Sequence, residues 1–368
     1  METVGQLIEL GTRHIRHSLV ESLYLKSGYD LTKPLSIRAT INEQCNYKCR
    51  YCDFWRLENR QEEMTILEWQ AALLSLKEFI GSYVIQFAGG EPFIKPGFVD
   101  LLSFCHSHGI DWGVITNGSA FSRQTVAKVV AAHPVNVSIS VDSERAEIHD
   151  YVRGVPGSFS RIARGIGFLR EERKRLGLNF PIRIKPTIHK HNFRYLPELV
   201  EWTQCIGATT IDFAPVRPWT SEVKTELWLN DEAEQETFKQ IIDTLIDMKR
   251  KGAPIETSEA KLRSFLDHFL GNQVYHGASP CRVGMRDYHI QPNGDVICCW
   301  FYPAIGNAKE NSAREIWQSS RARQLRAQMV ACTKFGSLDC ANSCLAHKTL
   351  GQKVQLGLLF FRQASTRS

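Results

Sequence analysis

Three cysteines follow an apolar, strand-like run near the start of the chain and share a C-x3-C-x2-C spacing. They are Cys45, Cys49 and Cys52, within the stretch INEQCNYKCRYCDFW. With 11 cysteines among 368 residues, this spacing arises by chance in roughly 1% of such chains. The three thiols therefore predict a single site, around which the neighbouring chain must fold.

The type of ligand and the number of ligands indicate what this site holds. Iron prefers soft thiolate ligands, and a four-iron cubane has four metal corners, so three cysteines leave one iron open to a small bidentate ligand. A structural zinc site is the alternative, but it normally has a fourth ligand nearby. The next cysteine and histidine are Cys105 and His106. We therefore expect a redox-active 4Fe-4S cluster on Cys45, Cys49 and Cys52.

The composition is that of a globular protein, with 43% hydrophobic and 23% charged residues. An odd number of clustered cysteines fits metal binding in a reducing compartment better than a disulfide framework. No apolar run is long enough for a signal peptide or a membrane span, so we expect a cytoplasmic protein without a membrane partner. The net charge of +6 is dispersed. The run REERKR at 170–175 contains two glutamates, which favours a solvated helix face over a nucleic-acid site.

From residue 35 onward, strand-like and helix-like segments alternate, which predicts the fold class. The candidate strands are 36–41, 83–87, 112–115, 135–141, 182–188 and 210–213. The helical patterns between them are 66–79, 97–108, 123–132, 159–176 and 196–206. Six such units predict an α/β fold, a parallel sheet curled into a partial (β/α)6 barrel. One or two amphipathic helices are expected over 3–27, and two more between 230 and 270.

Polar motifs follow the second, third and fourth candidate strands. They are Gly89-Gly90-Glu91-Pro92, Thr116-Asn117-Gly118, and Ser140 and Asp142 with Arg153 further on. Parallel βα folds bind ligands at the carboxyl ends of their strands. Taken singly, each motif has an ordinary alternative, a turn for the glycines and a surface ion pair for the arginine.

Together with the cysteine spacing, these motifs resemble the radical S-adenosylmethionine (SAM) superfamily. The hallmark of that family is C-x3-C-x2-C with an aromatic residue, here Tyr51, before the last cysteine. The resemblance implies that SAM binds the open iron, is cleaved by one-electron reduction, and yields a 5′-deoxyadenosyl radical that takes hydrogen from a substrate. It also implies a reductant such as flavodoxin or ferredoxin. The positions that would contact SAM are Tyr51, Gly89, Gly90, Glu91, Pro92, Asn117, Ser140, Asp142 and Arg153.

Within this resemblance, three of those positions have specific roles. The Gly-Gly-Glu-Pro motif that contains Glu91 corresponds to the one that contacts the amino group of SAM. Ser140 corresponds to a serine at the polar end or ribose of SAM, and Arg153 to an arginine that holds its carboxylate. The stretch DFAPVRPW at 212–219, after the sixth candidate strand, is equally consistent with a barrel lid and with substrate contact.

Six of the 11 cysteines lie late in the chain, at 281, 298, 299, 332, 340 and 344. A hairpin pattern around Pro292-Asn293-Gly294-Asp295 separates the first of them from the next pair. The spacing of Cys281, Gly294 and Cys299 resembles the SPASM/twitch extension of radical SAM enzymes, as do the later Gly306-Asn307 and the Glu-Ile-Trp at 315–317. A helix is expected over 313–329.

A full SPASM extension has further cysteines at positions that here hold Ala331 and Lys334. We therefore expect the shorter twitch form, with one auxiliary 4Fe-4S cluster on Cys281, Cys299, Cys340 and Cys344. Cys298 and Cys332 are reserve ligands, and a four-cysteine zinc site is the alternative. Sulfatase-maturing relatives have a catalytic aspartate directly after the second cysteine of the extension, where this chain has Trp300, so that activity is not expected.

These observations predict five segments: an N-terminal helical segment (1–34), a radical SAM partial barrel (35–225), a helical connector (226–275), a SPASM/twitch domain (276–350) and a C-terminal tail (351–368). The N-terminal segment is too short for a peptide-leader-binding domain. The leading functional hypothesis is therefore oxidation of a small natural-product metabolite.

Three alternatives to that hypothesis remain open. The first is a maturase that modifies a ribosomally made peptide. The second is a redox-neutral epimerase, in which Cys298 or Cys332 would be a catalytic thiol that returns a hydrogen atom to the substrate. The third is a non-enzymatic iron-sulfur or zinc protein.

Overall fold

The computed structural model describes residues 4–57, 62–218, 220–272 and 280–332, with side chains described from residue 16 onward. The strands are β1 (Ser36–Thr40), β2 (Val84–Ala88), β3 (Asp111–Thr116), β4 (Asn136–Ile139), β5 (Ile182–Ile184), β6 (Thr187–Ile188), β7 (Thr210–Ile211), β8 (Ala214–Pro215), β9 (Asp287–Ile290), β10 (Asp295–Ile297) and β11 (Gly306–Asn307).

The helices precede, alternate with and follow these strands. They are α1 (Val4–Ser27), α2 (Ile66–Ile80), α3 (Phe98–Ser107), α4 (Arg123–Ala131), α5 (Ala146–Arg153), α6 (Ser158–Arg175), α7 (Leu196–Cys205), α8 (Ser221–Glu226), α9 (Glu232–Arg250), α10 (Glu259–Phe269), α11 (Ala313–Gln318) and α12 (Ser320–Val330). None of the described helices is long and apolar enough to cross a lipid bilayer.

Within the described part of the chain, the main sheet has nine strands in the order β11-β10-β9-β1-β2-β3-β4-β5-β7. Its six central neighbours, from β1 to β7, pair in parallel. This confirms the predicted α/β fold, and each of the six strands lies within or overlaps a predicted one. The strand predicted at 182–188 is divided, because Pro186 has no N–H group to donate to the ladder. After that proline, β6 pairs with β8 in a separate two-stranded sheet.

Alternate residues of the central strands lie on opposite faces of the sheet. One face is apolar and packs with helix side chains in a continuous core that includes Ile37, Ile85 and Val137. The other face, called the inner face below, carries polar, partly buried residues: Arg38, Gln86, Asn136, Arg183 and His289. Register places Gln86 and His289 on either side of Arg38. The polar residues therefore form neighbouring rows on the inner face.

The late hairpin is part of the main sheet. Strand β9 pairs in parallel with β1, and β10 pairs antiparallel with β9. The sequence predicts this hairpin as an appendage, since a local pattern does not show which distant strand it joins. Trp317 Nε1 also donates to the carbonyl of Thr32 at 2.8 Å, which ties α11 to the segment before β1.

Two predicted helical regions differ from the structure in detail. The N-terminal region is the single helix α1. The helix predicted over 313–329 is two helices, because Ser319 has extended backbone angles and its hydroxyl caps the start of α12 by accepting from Ala322 N at 3.0 Å. The two helices predicted between 230 and 270 are confirmed as α9 and α10.

A candidate active site at the carboxyl ends of the strands

The loop that carries Cys45, Cys49 and Cys52 leaves β1 and crosses the carboxyl ends of the strands. On one side, Glu91 N donates to the carbonyl of Gln44 at 2.7 Å. On the other side, Arg50 N donates to the carbonyl of Val152, at the end of α5, at 2.9 Å. Backbone hydrogen bonds therefore fix the loop between the end of β2 and the end of α5.

Two glycines make this close approach of backbones possible. A Cβ atom at Gly90 would lie 1.9 Å from the Gln44 carbonyl oxygen. Gly154 has φ of +68°, and a Cβ atom there would lie 2.4 Å from the Lys48 carbonyl oxygen. Gly90, in a strand-end motif, and Gly154, directly after α5, thus shape the cysteine loop from both sides.

Donor groups from outside the loop point towards its sulfur atoms. Asn117 Nδ2 lies 3.9 Å from Cys45 Sγ, and Arg153 Nη1 lies 3.9 Å from Cys49 Sγ. Burial raises the pKa of Cys49 to about 11, although Arg153 opposes that shift. An iron-sulfur cluster binds cysteine as the thiolate, and metal binding displaces the thiol proton. Three soft ligands, two of which lie near hydrogen-bond donors from outside the loop, fit the predicted cluster.

The spacing of ligand groups also bears on the zinc alternative. Among the residues that the structure describes, no three His, Cys, Asp or Glu side chains come together as ligands of one metal ion. A cubane does not require that arrangement, since each thiolate binds a different iron atom. The three-cysteine loop, with no further Cys or His before Cys105, matches the three protein ligands expected for such a cluster.

Glu91 joins two of the strand-end motifs. Its buried carboxylate accepts hydrogen bonds from Thr116 Oγ1 at 2.7 Å and from Asn117 N at 2.7 Å. A third hydrogen bond, from Phe93 N, is 3.2 Å long. Burial raises the pKa of Glu91 to about 7, against the effect of these donors. The Gly-Gly-Glu-Pro and Thr-Asn-Gly motifs are therefore one hydrogen-bonded unit beside the cysteine loop, and Pro92 begins the short 3-10 turn that follows.

Asp142 and Arg153 form a buried ion pair between the segment after β4 and the end of α5. Arg153 Nη2 donates to Asp142 Oδ1 at 2.9 Å, and the Tyr51 hydroxyl donates to Asp142 Oδ2 at 2.9 Å. Burial opposes ionisation of Asp142, but the Arg153 guanidinium holds the pKa of that carboxyl below its usual range. Three predicted cofactor contacts, Tyr51, Asp142 and Arg153, therefore meet beside Cys49. The predicted contact of Arg153 with a SAM carboxylate remains a prediction.

The first residues beyond four parallel strands lie side by side. They are Asn117, Ser140, Lys185 and Asp212. Ser140 N donates to Thr116 O at 2.9 Å and Lys185 N to Ile139 O at 2.8 Å. Asp212 N donates to Ile184 O at 2.9 Å. Ser140, the predicted SAM contact, is thus next to a lysine that the sequence motifs do not identify.

Three buried residues around Asp142 are not part of the sequence motifs. Asn192 Nδ2 donates to the carbonyl of Asp142 at 2.7 Å. His149 Nδ1 accepts from Asp142 N at 3.2 Å. Burial lowers the pKa of His149 to about 4 and that of His189 to about 3, so both rings are neutral near pH 7. The stretch His-Lys-His-Asn at 189–192, directly after a predicted strand, is a signal for His189 and Asn192, whereas His149 lies in α5.

The stretch DFAPVRPW is divided between two environments. Phe213 is fully buried in the apolar core, whereas Asp212 lies at the strand ends and binds Lys185, with Nζ 2.7 Å from Oδ2. Trp219 lies outside the described residues. Its neighbouring helix α8 contacts the cysteine loop through Glu226, which binds Arg50 at 2.8 Å.

The described cysteines of the second group lie in two different environments. Burial raises the pKa of Tyr302 to about 12, and the thiols of Cys332, Cys299 and Cys281 add to this increase. These three thiols therefore lie near one tyrosine side chain. Cys298 is buried instead beside Tyr288 and Arg326, on the helix-covered face. Cys340 and Cys344, the other predicted ligands, lie outside the described residues.

Comparison with known families agrees with this arrangement. The family model of the radical SAM superfamily matches residues 40–188, and that of the SPASM iron-sulfur cluster-binding domain matches residues 281–345. The chain belongs to the radical SAM superfamily. The two family domains imply a 4Fe-4S cluster, SAM and auxiliary iron-sulfur ligation, in agreement with the predicted cofactors. When bound, the cluster and SAM supply a radical that removes hydrogen from a substrate.

Three known proteins illustrate the similarity of this radical SAM protein. It is 26% identical over 304 residues to the PqqA peptide cyclase of Rhodopseudomonas palustris, covering 78% of this chain and 74% of that protein. It is 27% identical over 323 residues to the AdoMet-dependent heme synthase of Oleidesulfovibrio alaskensis, covering 83% and 80%. The fold resembles Streptococcus suis SuiB bound to its precursor peptide SuiA, with a TM-score of 0.62, 19% identity and coverage of 86% and 71%.

Proposed function

We propose that this radical SAM enzyme removes a hydrogen atom from a C–H bond of a peptide and leaves the peptide oxidised by two electrons. The similarity to the PqqA peptide cyclase over 78% of the chain is the observation that carries the proposal. The fold shared with SuiB, which has been crystallised with a precursor peptide, is consistent with it. The proposal replaces the small metabolite of the leading sequence hypothesis with a peptide.

The inner face of the sheet suits a substrate rich in hydrogen-bonding groups. Gln86 Nε2 is buried there without a hydrogen-bond partner among the described residues. Neighbouring rows carry Arg38 and His289. A buried donor without a partner is costly, so a substrate carbonyl would satisfy it. Peptide amides supply such carbonyls at every residue.

The chain's own residues would orient SAM and the cluster beside this face. Cys45, Cys49 and Cys52 would hold three irons of the cluster. Glu91 would accept from the amino group of SAM, and Arg153 and Ser140 would contact its polar end. Hydrogen removal takes one electron and one proton from the peptide. Cys281, Cys299, Cys340 and Cys344 would hold an auxiliary cluster that can supply an acceptor for the second electron, and the remaining proton would pass to water.

A second candidate is a small substrate, because the heme synthase is as similar to this chain as the peptide cyclase. One experiment separates the two. Anaerobically reconstituted enzyme is mixed with SAM, dithionite and each short peptide encoded beside the gene, and 5′-deoxyadenosine and peptide mass are measured. The expected result is one 5′-deoxyadenosine per peptide that becomes two mass units lighter.

A deuterated version of the peptide that is modified provides a more specific test. Transfer of deuterium from the peptide into 5′-deoxyadenosine would identify the peptide as the hydrogen donor. The enzyme with Cys45, Cys49 and Cys52 changed to alanine is the inactive control. If a peptide-free, low-molecular-weight cell extract stimulated 5′-deoxyadenosine formation and none of the peptides did, the proposal would be overturned in favour of a small substrate.

A further inference from the structure

Two lysines share one carboxylate at the carboxyl ends of the strands. Lys185 Nζ lies 2.7 Å from Asp212 Oδ2, and Lys261 Nζ lies 3.8 Å from Asp212 Oδ1. Both lysine side chains are 28% exposed. Asp212 also accepts from Thr257 Oγ1 at 2.9 Å. One carboxylate therefore neutralises only one of two ammonium groups.

The next ion pair along this edge does not supply the missing negative charge. Arg183 binds Glu256, with Nη2 2.9 Å from Oε1, and this pair is neutral by itself. Across the five groups Arg183, Lys185, Lys261, Asp212 and Glu256, three positive charges face two negative ones. The cluster thus has an excess of one positive charge.

The position of Lys261 is unfavourable for its own helix. Ser258 caps α10, and its hydroxyl accepts from Lys261 N at 3.3 Å, which places Lys261 in the first turn. A positive charge there opposes the helix dipole. Burial lowers the pKa of Lys261, and repulsion by Lys185 adds to this while Asp212 opposes it. Stability of α10 therefore does not explain this lysine.

The fold brings Lys261 to the site by an unusual route. The chain before α10 runs parallel to β7 and forms a bridge between Ile211 and Ile255. Ile211 N donates to Pro254 O at 2.9 Å, and Glu256 N donates to Ile211 O at 2.8 Å. Helix α10 consequently begins at the same end of the sheet as the helices that follow the parallel strands. Lys261 then lies across from Lys185, which neighbours Ser140 in the row of strand-end residues.

We propose that Lys185 and Lys261 form a subsite for a carboxylate of the substrate. An anion between the two ammonium groups would offset their repulsion and complete the charge balance of the cluster. Charge-assisted hydrogen bonds of this kind are stronger than neutral ones. This inference rests on the proposed function, since it concerns the substrate of the same site. The carboxylate would come from an acidic side chain or the carboxyl terminus of a peptide, or from an acidic small molecule.

A binding experiment tests the subsite without any substrate turnover. The lysines of the reconstituted holoenzyme are reductively methylated with 13C-formaldehyde, and their resonances are assigned with Lys185→Gln and Lys261→Gln variants. Glutarate and its neutral diamide are then titrated into enzyme saturated with SAM, without reductant. Lys251, which pairs with Asp247 at the surface, is the internal control.

The expected result is a saturable shift of the Lys185 and Lys261 resonances with glutarate and none with the diamide. Lys251 should not respond to either compound. Equal shifts at Lys251, or a response to SAM alone with no further response to glutarate, would overturn the subsite. If glutarate binds but no peptide is modified, the subsite stands and the proposed peptide function fails.

Kinetics with a responding peptide identify the source of the carboxylate. Lys185→Gln or Lys261→Gln should raise KM for the peptide roughly tenfold to a hundredfold. Replacing the bound carboxylic acid of the peptide with its amide should raise the KM of the wild-type enzyme as much as either lysine substitution does. The same replacement should not raise the KM of the lysine variants any further. Amide versions of each side chain and of the carboxyl terminus show which group binds. If the lysine variants lost the same fraction of activity with the acid and amide forms of every peptide, Lys185 and Lys261 would have only a structural role.

Discussion

Arg153 and Asp142 connect the cysteine loop to the carboxyl ends of the parallel strands. Arg153 Nε lies 2.7 Å from Asp142 Oδ2, and both side chains are almost completely buried. The carbonyl of Arg153 also accepts from Lys48 N, within the cysteine loop, at 3.3 Å. The ion pair therefore fixes the end of α5, and that helix end in turn fixes the loop. Its contribution is structural as well as electrostatic.

The first prediction follows from this burial. Asp142→Asn leaves the Arg153 charge unpaired in the interior, and such changes cost about 3 to 5 kcal/mol. We expect a loss of this size in the free energy of unfolding, measured by urea denaturation of the iron-free protein under reducing conditions. Glu171→Gln is the matched control, since Glu171 pairs with Arg123 in an exposed pair, and should cost less than about 1 kcal/mol. Equal losses for the two variants would contradict the role of burial.

The second prediction concerns the approach of Gly90 to the cysteine loop. Gly90→Ala places a methyl group against the Gln44 carbonyl, and overpacking of this kind costs about 1 to 3 kcal/mol. Because the loop must move, we expect reconstituted protein to lose much of the iron held by Cys45, Cys49 and Cys52, measured by iron analysis. Gly167→Ala is the control. Gly167 lies within α6 with nothing near its Cβ position, so this change should be neutral or stabilising by about 0.5 to 1 kcal/mol.

The third prediction uses the raised pKa of Glu91. Burial raises the pKa of Glu91 to about 7 in the folded protein, whereas an unperturbed glutamate has a pKa of 4.5. The folded state therefore binds more protons between these values, and stability falls as pH rises from about 4.5 to about 7. Glu91→Gln should remove that part of the pH dependence, on the order of 3 kcal/mol.

Urea unfolding of the iron-free wild type and variant at several pH values provides the measurement. The difference between the two proteins should change between pH 4.5 and 7 and be constant above pH 7. A difference that is the same at every pH would show that Glu91 is ionised throughout, held so by Thr116, Asn117 and Phe93.

Much of the architecture follows from local sequence pattern. Apolar residues such as Ile37, Ile85 and Val137 alternate with polar ones along their strands and form the helix-covered face of the sheet. The six parallel strands were therefore predictable. Ligands after parallel strands gather at one end, so the grouping of Glu91 with Asn117 was also predictable. These features depend on residues that are close in the chain or on a rule shared by all parallel sheets.

The remaining features depend on contacts between distant segments. Nothing near Asp287 indicates that β9 pairs with β1, and nothing near Lys261 indicates that α10 begins beside β7. The motif around Arg153 predicts a cofactor contact, but it does not reveal that Arg153 pairs with the buried carboxylate of Asp142. Pairing partners and desolvation are properties of the folded chain, and sequence alone shows neither.

The fourth prediction concerns the number of clusters. Two cubanes held by the two cysteine groups correspond to about eight irons per chain after anaerobic reconstitution. The variant with alanine at Cys45, Cys49 and Cys52 should retain about half of this iron and cleave no SAM. Four or fewer irons in the intact protein, together with stoichiometric zinc, would contradict the auxiliary cluster. Metal analysis and the yield of 5′-deoxyadenosine decide the question.

The last prediction concerns the fate of the substrate radical. A thiol that returns hydrogen must reach the inner face, yet Cys298 is buried beside Tyr288 on the helix-covered face. Cys332 lies near Tyr302, as do the predicted cluster ligands Cys281 and Cys299, and this proximity favours cluster ligation by Cys332 over hydrogen donation. We therefore expect turnover in deuterated water to give a product two mass units lighter, without deuterium at carbon. A gain of one deuterium, abolished by Cys332→Ala but not by Cys298→Ala, would instead establish redox-neutral epimerisation with Cys332 as the donor.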